Sequence, residues 1–390
     1  MFKKIDELAK EELNGKKVFL RVDFNVPVED GELKEIYRIK AHKETIDFLV
    51  SAGARVALIS HIGNSFKDIV QDIGKILGYE LGFEEDILNP KLESQITLFE
   101  NIRKYEGEEI NDSGFAEDLA KNFDLCVNDA FSVSHREHAS VSAITKFLLS
   151  YAGFLMAKEV ENLDKVINEP AHGKTMILGG AKVSTKLPVI KNFLGPEGVP
   201  PRAGPYGAGK AEHILVAGAL ANVIFKFKGL NIGSSVVEDS GAGEALKEID
   251  FGNSQIVLPQ DFVISDDKSG KSAPEISSVK SIKDNQFILD IGPETVKQFS
   301  DIIKNSKTVI FNGPLGLAEV EVFSNGTKMV LDSMIRSGAF TVIGGGDTLA
   351  LTEKLGLLDK FSYVSTGGGA MLEFLAGNRL PGLEALNYYG

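Results

Sequence analysis

The sequence predicts an α/β protein of two doubly wound, parallel-sheet (Rossmann-like) domains joined by a helix, with a cleft between them. Three observations predict it. At 390 residues the chain exceeds what one hydrophobic core usually holds. Apolar, β-branched runs alternate with stretches of helical period from end to end, the pattern of a parallel sheet with crossover helices. Two glycine triplets, Gly344 to Gly346 and Gly367 to Gly369, each follow a β-branched run and precede a helix-like stretch, 349–355 and 372–376. Bare N–H groups at a helix start favour an anion, and glycine lets it approach closely.

Taken in order, strands are expected at 17–22, 54–59, 95–99 and 125–128. In 153–168, Phe154, Leu155, Val160, Leu163, Val166 and Ile167 are spaced for an amphipathic helix. Glu169-Pro170 breaks it, so the boundary is expected near residue 170, separating domains 1–170 and 171–375. Further strands are expected at 175–178, 213–216, 255–258, 308–311, 340–343 and 362–364.

Composition narrows the function. A net charge of −13 argues against nucleic acid as a partner, since a phosphate backbone needs a basic face. The single Cys126 excludes an intramolecular disulfide framework and fits a reducing, cytoplasmic setting. Met1 to Leu8 carries charge and no apolar h-region, and no run is long enough to span a membrane, so no leader or membrane partner is expected.

Ligands of open α/β sheets bind beyond the carboxyl ends of the strands. In the first half those ends carry Asp23, Asn25, His61, Asn101, Arg103, Asn128, Asp129, His135 and Arg136. In the second half they carry Gly179, Gly180, Gly218, Gly313 and the two triplets. Side chains suit a compact polar anion; bare backbone suits a phosphate chain and a flat base. A substrate facing a nucleotide is the layout of a kinase.

Only 8 of the 42 basic residues are arginine, and Arg38, Arg103 and Arg136 all lie near first-half strand ends. Arginine grips carboxylate and phosphate with a planar fork; the plain alternative is surface ion pairing. Lys182 and Lys186 stand four apart after Gly179-Gly180, and share a face if the chain is helical from Val183. The alternative is a solvated pair. After Asn312-Gly313-Pro314, Glu319 either caps a helix or accepts from a ribose hydroxyl. Asp347 either caps its helix or holds Mg²⁺, an ion that takes one or two carboxylates with phosphate oxygens. Gly204 to Lys210 nearly fits a P-loop but is followed by Ala211 and preceded by no strand, so 195–210 is expected to be an exposed loop. His42, His172 and His213 have no metal spacing and are expected to be structural or exposed.

Together these motifs resemble the phosphoglycerate kinase family. They are Arg21 to Pro27, Ser60 to Gly63, Glu100 to Arg103, Val127 to Phe131, His135 to Ser140 and Gly179 to Ser184 in the first part of the match. Asn312 to Gly316, Gly344 to Thr348 and Ser365 to Ala370 complete it, in order over nearly the whole chain. The resemblance implies two α/β domains, with 376–390 returning to the first. It implies a monomer that exchanges a phosphoryl group between 1,3-bisphosphoglycerate and ADP, with Mg²⁺, giving 3-phosphoglycerate and ATP. It assigns Asp23, Asn25, Arg38, His61, Arg103 and Arg136 to 3-phosphoglycerate, with position 64 in the same cluster. Lys182 would meet the transferring phosphoryl group and Lys186 the nucleotide phosphates. Gly180, Ala181 and Gly218 would line the adenine pocket, Glu319 the ribose, and Asp347 the metal. Asn312, Gly345, Gly346, Thr348 and Gly367 to Gly369 belong to the phosphate wall. Arg38, Lys182, Gly345 and Gly368 form the implied catalytic set.

Three departures stand out. Asn64-Ser65 occupies the place of the family's usual Arg-Pro, and losing one charge-assisted bond weakens binding by about 1.5–3 kcal/mol. The segment 64–96 is shorter than usual, and 195–210 reads as an insertion near the adenine pocket. A carboxylate kinase with a shifted acceptor and a catalytically silent nucleotide-binding protein are the competing readings.

Overall fold

The computed structural model describes residues 2–29, 31–194, 211–237 and 242–390. The expected loop 195–210 lies outside the described residues. The chain divides into two compact units, Met1–Glu161 with Arg379–Gly390, and Asn162–Asn378.

The first unit contains β1 (Lys17–Arg21), β2 (Val28–Glu29), β3 (Glu32–Leu33), β4 (Arg55–Ile59), β5 (Gly82–Glu84), β6 (Ile96–Phe99), β7 (Leu125–Asn128) and β8 (Ser150–Ala152). Strands β2 and β3 form a small hairpin; the other six make one parallel sheet in the order β5-β6-β4-β1-β7-β8. The run Val18-Phe19-Leu20 shows why β1 is central. Val18 and Leu20 enter one core with Leu58, Leu98 and Val127, while Phe19 enters the opposite core with Ile59, Phe99 and Cys126. A strand covered on both faces reads as an unbroken apolar run.

The second unit contains β9 (Lys174–Leu178), β10 (His213–Val216), β11 (Ile256–Val257), β12 (Asp261–Ser265), β13 (Glu275–Ser278), β14 (Phe287–Ile291), β15 (Thr308–Asn312), β16 (Phe340–Gly344) and β17 (Tyr363–Ser365). Its parallel sheet runs β11-β10-β9-β15-β16-β17. Counted within that sheet the order is 3-2-1-4-5-6, which reverses direction between β9 and β15 and opens a ligand crevice there. Every strand expected in this unit is present, but the antiparallel sheet β13-β12-β14 was not foreseen. Its signal was the apolar run Phe287-Ile288-Leu289, whose partners lie far along the chain.

The linking helix spans Phe154–Asn168. The unit boundary falls inside it, at Glu161/Asn162, rather than at its end near residue 170. The reason lies in its two ends. Asp129 Oδ1 accepts the Leu155 and Met156 N–H groups at 2.9 and 3.3 Å, and Thr45 Oγ1 accepts Phe154 N–H at 2.9 Å, fastening its first turn to the first unit. Buried Lys174, in the second unit, donates to the Ile167 carbonyl at 3.2 Å at the other end.

Candidate active site

In the first unit Asp23 leaves β1 as a buried carboxylate. It accepts the Asn25 N–H at 3.1 Å and the Ser132 hydroxyl at 2.5 Å, and pairs with Arg38 at 3.3 Å. Burial alone would push this carboxyl up, but Arg38 and the two donors hold it below the usual carboxylate range. Arg38 projects from the helix Ile36–Ala41 and also reaches Glu35 at 3.1 Å. Asp23, Asn25 and Arg38 are thus drawn together. Behind them His42 Nε2 accepts the Asp23 N–H at 2.9 Å, which leaves the ring proton on Nδ1, donating to Asp129 at 2.9 Å. His42 is a structural histidine.

His61 is buried just past β4, with Nδ1 3.5 Å from Arg21. Burial first, then the charges of Arg21, Arg103 and Arg136, push its pKa down to about 3, so the ring is neutral at pH 7. Arg103 follows β6. Its Nε and Nη2 are buried without a hydrogen-bond partner, Nε lying 3.2 Å from Glu109 as an ion pair. Burial and then the exposed Arg136 push the Arg103 pKa down. Two mutually repelling guanidiniums, one with its buried Nη2 unpartnered, suit an anion. Asn64 is exposed and lines a groove with Asn25 and Arg38, beside the acids Glu35 and Asp68. Its carbonyl accepts from Asn101 Nδ2 at 3.1 Å.

Arg21 was missed as a site residue. It is fully buried and donates to Ser140 at 2.8 Å, whose hydroxyl donates to Glu108 at 2.6 Å, so it ties Ser140 to the end of β1. A charged residue ending an otherwise apolar strand was its signal.

In the second unit one pocket gathers Gly180, Ala181, Gly218, Glu319 and Asp347 with Pro314 and Leu315. It sits at the reversal point of the sheet. There the loops after β9 and β15 pack backbone to backbone: Gly179 N–H donates to Asn312 at 3.0 Å and Gly180 N–H to Pro314 at 2.8 Å. A Cβ on Gly179 would stand 2.2 Å from the Pro314 carbonyl oxygen, and one on Gly313 would stand 2.3 Å from that of Gly179. Glycine is required here for this contact.

Gly345, at φ +94°, turns the chain into the helix Gly346–Lys354, with Asp347 exposed in its first turn. Gly368, at φ +50°, likewise precedes the helix Gly369–Leu375. Asn312 is buried beneath Gly345, its Nδ2 without a hydrogen-bond partner. Thr348 faces inward, its hydroxyl accepting the Gly313 N–H at 3.0 Å and tying the two loops together.

The shared face expected for Lys182 and Lys186 does not form. Residues 184–186 make a turn and the α-helix begins only at Leu187. Lys182 is therefore exposed, while Lys186 is buried and donates to the Lys182 carbonyl at 3.2 Å. The antiparallel sheet and its loops supply a pocket wall that sequence reasoning missed: Phe287, Ile288, Leu289 and Asp290, with Lys268 Nζ 4.2 Å from the Phe287 ring centre.

A family profile described as phosphoglycerate kinase matches residues 6–378. The chain belongs to the phosphoglycerate kinase family. It is 40% identical over 399 residues to the phosphoglycerate kinase of Wolbachia sp. subsp. Brugia malayi (strain TRS), covering 96% of each chain. The phosphoglycerate kinase of Rubrobacter xylanophilus is 40% identical over 391 residues, again with 96% of each covered. The solved phosphoglycerate kinase of Coxiella burnetii superposes with a TM-score of 0.81 at 31% identity, covering 100% of both chains. That of Pyrococcus horikoshii OT3 gives 0.84 at 30% identity, covering 99% of this chain and 98% of that one.

A member of the phosphoglycerate kinase family is a phosphotransferase, and phosphoryl transfer rests mainly on positioning and charge neutralisation. One unit here carries a cationic, side-chain-rich surface and the other a backbone-lined pocket with three carboxylates, the exposed Glu319 and Asp347 and the buried Asp290. Among the described residues, no group of three or more His, Cys, Asp or Glu could hold a metal ion by itself.

Proposed function

We propose that this chain catalyses the reversible, Mg²⁺-dependent transfer of a phosphoryl group between the acyl phosphate of 1,3-bisphosphoglycerate and ADP, giving 3-phosphoglycerate and ATP. The family match over residues 6–378 carries this reading. The buried, unpartnered Arg103 Nη2 beside Arg136 supports it.

In this reading Arg103, Arg136 and neutral His61 hold the phosphate of 3-phosphoglycerate, while Asp23, Asn25 and Arg38 hold its other end. Lys182 meets the phosphoryl group in transit and Lys186 the nucleotide phosphates. Gly180, Ala181 and Gly218 line the base, and Glu319 accepts from the ribose. Asn312, Gly345, Gly346, Thr348 and Gly368 surround the phosphates. Asp347 would hold Mg²⁺. An exposed carboxylate in a backbone-lined pocket fits an ion that completes its shell with phosphate oxygens and water. When bound, the ion neutralises phosphate charge. The attacking carboxylate is already ionised near neutral pH, so no general base is required. The glycolytic role of the family and the single buried Cys126 support a cytoplasmic enzyme, and the resemblance a monomer. The net charge of −13 supports small-molecule partners rather than nucleic acid.

A coupled assay with Mg-ATP and a panel of phosphorylated and unphosphorylated small carboxylates tests this. Turnover is expected with 3-phosphoglycerate. Better turnover with another acid would move the substrate assignment, and ATP binding without transfer would leave only a nucleotide-binding protein.

A further inference from the structure

We propose that Asp290 is a positioning residue of the nucleotide pocket, its carboxylate bracing the loop 313–317 so that nucleoside affinity follows its ionisation. The inference rests on reading this pocket as the nucleotide site. Asp290 stands on β14, buried in the pocket wall. One oxygen accepts the Gly326 N–H at 2.7 Å, in the first turn of the helix Asn325–Arg336, and the other accepts the Ile291 N–H at 2.9 Å. The carboxylate fills the space between two glycines. A Cβ on Gly316, in the loop, or on Gly326, in the helix, would stand 2.5 Å from Asp290 Oδ1. The same loop is fastened to the same two elements, Leu315 N–H to Thr327 Oγ1 at 3.0 Å and Leu317 N–H to the Leu289 carbonyl at 2.8 Å. Asp290 therefore sits where β14, the helix and the loop join, and the loop carries Pro314 and Leu315 into the pocket.

Both oxygens act as acceptors, which suits the ionised form. A proton on the remaining lone pair of either removes the charge that strengthens both accepted bonds, and the brace weakens. The charged surroundings are sparse. β12 places Val263 opposite Asp290, and the helix Gly218–Phe227 is charged only at Lys226 in its last turn. The helix Asn325–Arg336 offers Lys328, which favours the carboxylate, and Glu319 and Glu321 follow the loop. Burial outweighs the Gly326 and Ile291 N–H groups and Lys328, and pushes the Asp290 pKa up to about 7. The brace is thus complete above neutrality and is lost as the pH falls.

Calorimetric titration of the full chain with adenosine, which has no phosphate to titrate, and with ADP in parallel, tests this at about pH 8.5 and about pH 5.5. For the wild type, adenosine affinity is expected to fall roughly fivefold or more at the lower pH. Asp290→Asn should bind weakly and almost equally at both, with its thermal transition checked alongside. A wild type whose adenosine affinity is flat with pH, or a folded variant keeping the wild-type pH dependence, overturns the proposal. The wild-type profile decides even if the variant does not fold. A wild type that binds ADP at neither pH overturns the nucleotide reading itself, and this inference with it.

Discussion

In the proposed reading, Asn64 sets how tightly the first unit holds 3-phosphoglycerate. The groove it lines already contains Glu35 and Asp68, so the electrostatic balance there leans negative where the family usually places a guanidinium. Asn64→Arg is expected to lower the KM for 3-phosphoglycerate by about tenfold or more, the equivalent of one charge-assisted bond, with little change in kcat. Steady-state kinetics check this; an unchanged KM would mean that Arg103 and Arg136 already saturate the phosphate. His61 and His138 set a second residue-scale property. Burial first, then neighbouring arginines, push their pKa values from 6.5 down to about 3 and about 4. The unfolded chain binds these protons first, so stability present above about pH 6.5 is lost as the pH falls toward 4 and 3, by at most about 1.4 kcal/mol per pH unit for each ring. Urea unfolding between neutral and acidic pH should show this slope, and His138→Gln should flatten it.

At the scale of elements, the reversal point of the second sheet depends on two loops meeting without side chains. Gly313 has φ +87° and a Cβ there would stand 2.3 Å from the Gly179 carbonyl oxygen. Gly313→Ala is expected to cost about 3 kcal/mol or more. Gly338, at φ +71°, has open space around the same position, and Gly338→Ala should cost only about 1–2 kcal/mol. Denaturant midpoints of the two variants measured together separate close packing from backbone conformation; equal losses would show that φ alone matters. The same crowding makes these glycines spacers between the two loops.

For the whole molecule, the chain order of the units matters. The second unit is one continuous stretch, Asn162–Asn378, while the first is completed only by Arg379–Gly390. That last segment buries Leu380, Leu383 and Leu386, its Gly382 N–H donates to the Ser134 carbonyl at 2.9 Å, and Tyr388 meets Phe2 at 5.7 Å. Truncation after Asn378 should destabilise the first unit by up to roughly 4–9 kcal/mol, from the three leucines, and leave the unfolding of the second unit unchanged. Hydrogen exchange resolves the two; equal loss of protection in both units would contradict this division of stability.

The sequence by itself determined the two-sheet α/β class, ten strands and the families of residues at their ends. Apolar periodicity and glycine elbows are local properties and can be read one segment at a time. Val18-Phe19-Leu20 announces a strand buried on both faces without reference to any partner. What only the tertiary structure decided depended on residues distant in the chain. The antiparallel sheet carrying Asp290 was not read from its apolar run alone because β12 and β14 acquire their meaning from each other. The inward turn of Lys186 was invisible because the helix begins at Leu187, later than spacing suggested. Neutral His61 and fully buried Arg21 likewise follow from burial and from charges brought in from other loops, which no spacing along the chain encodes.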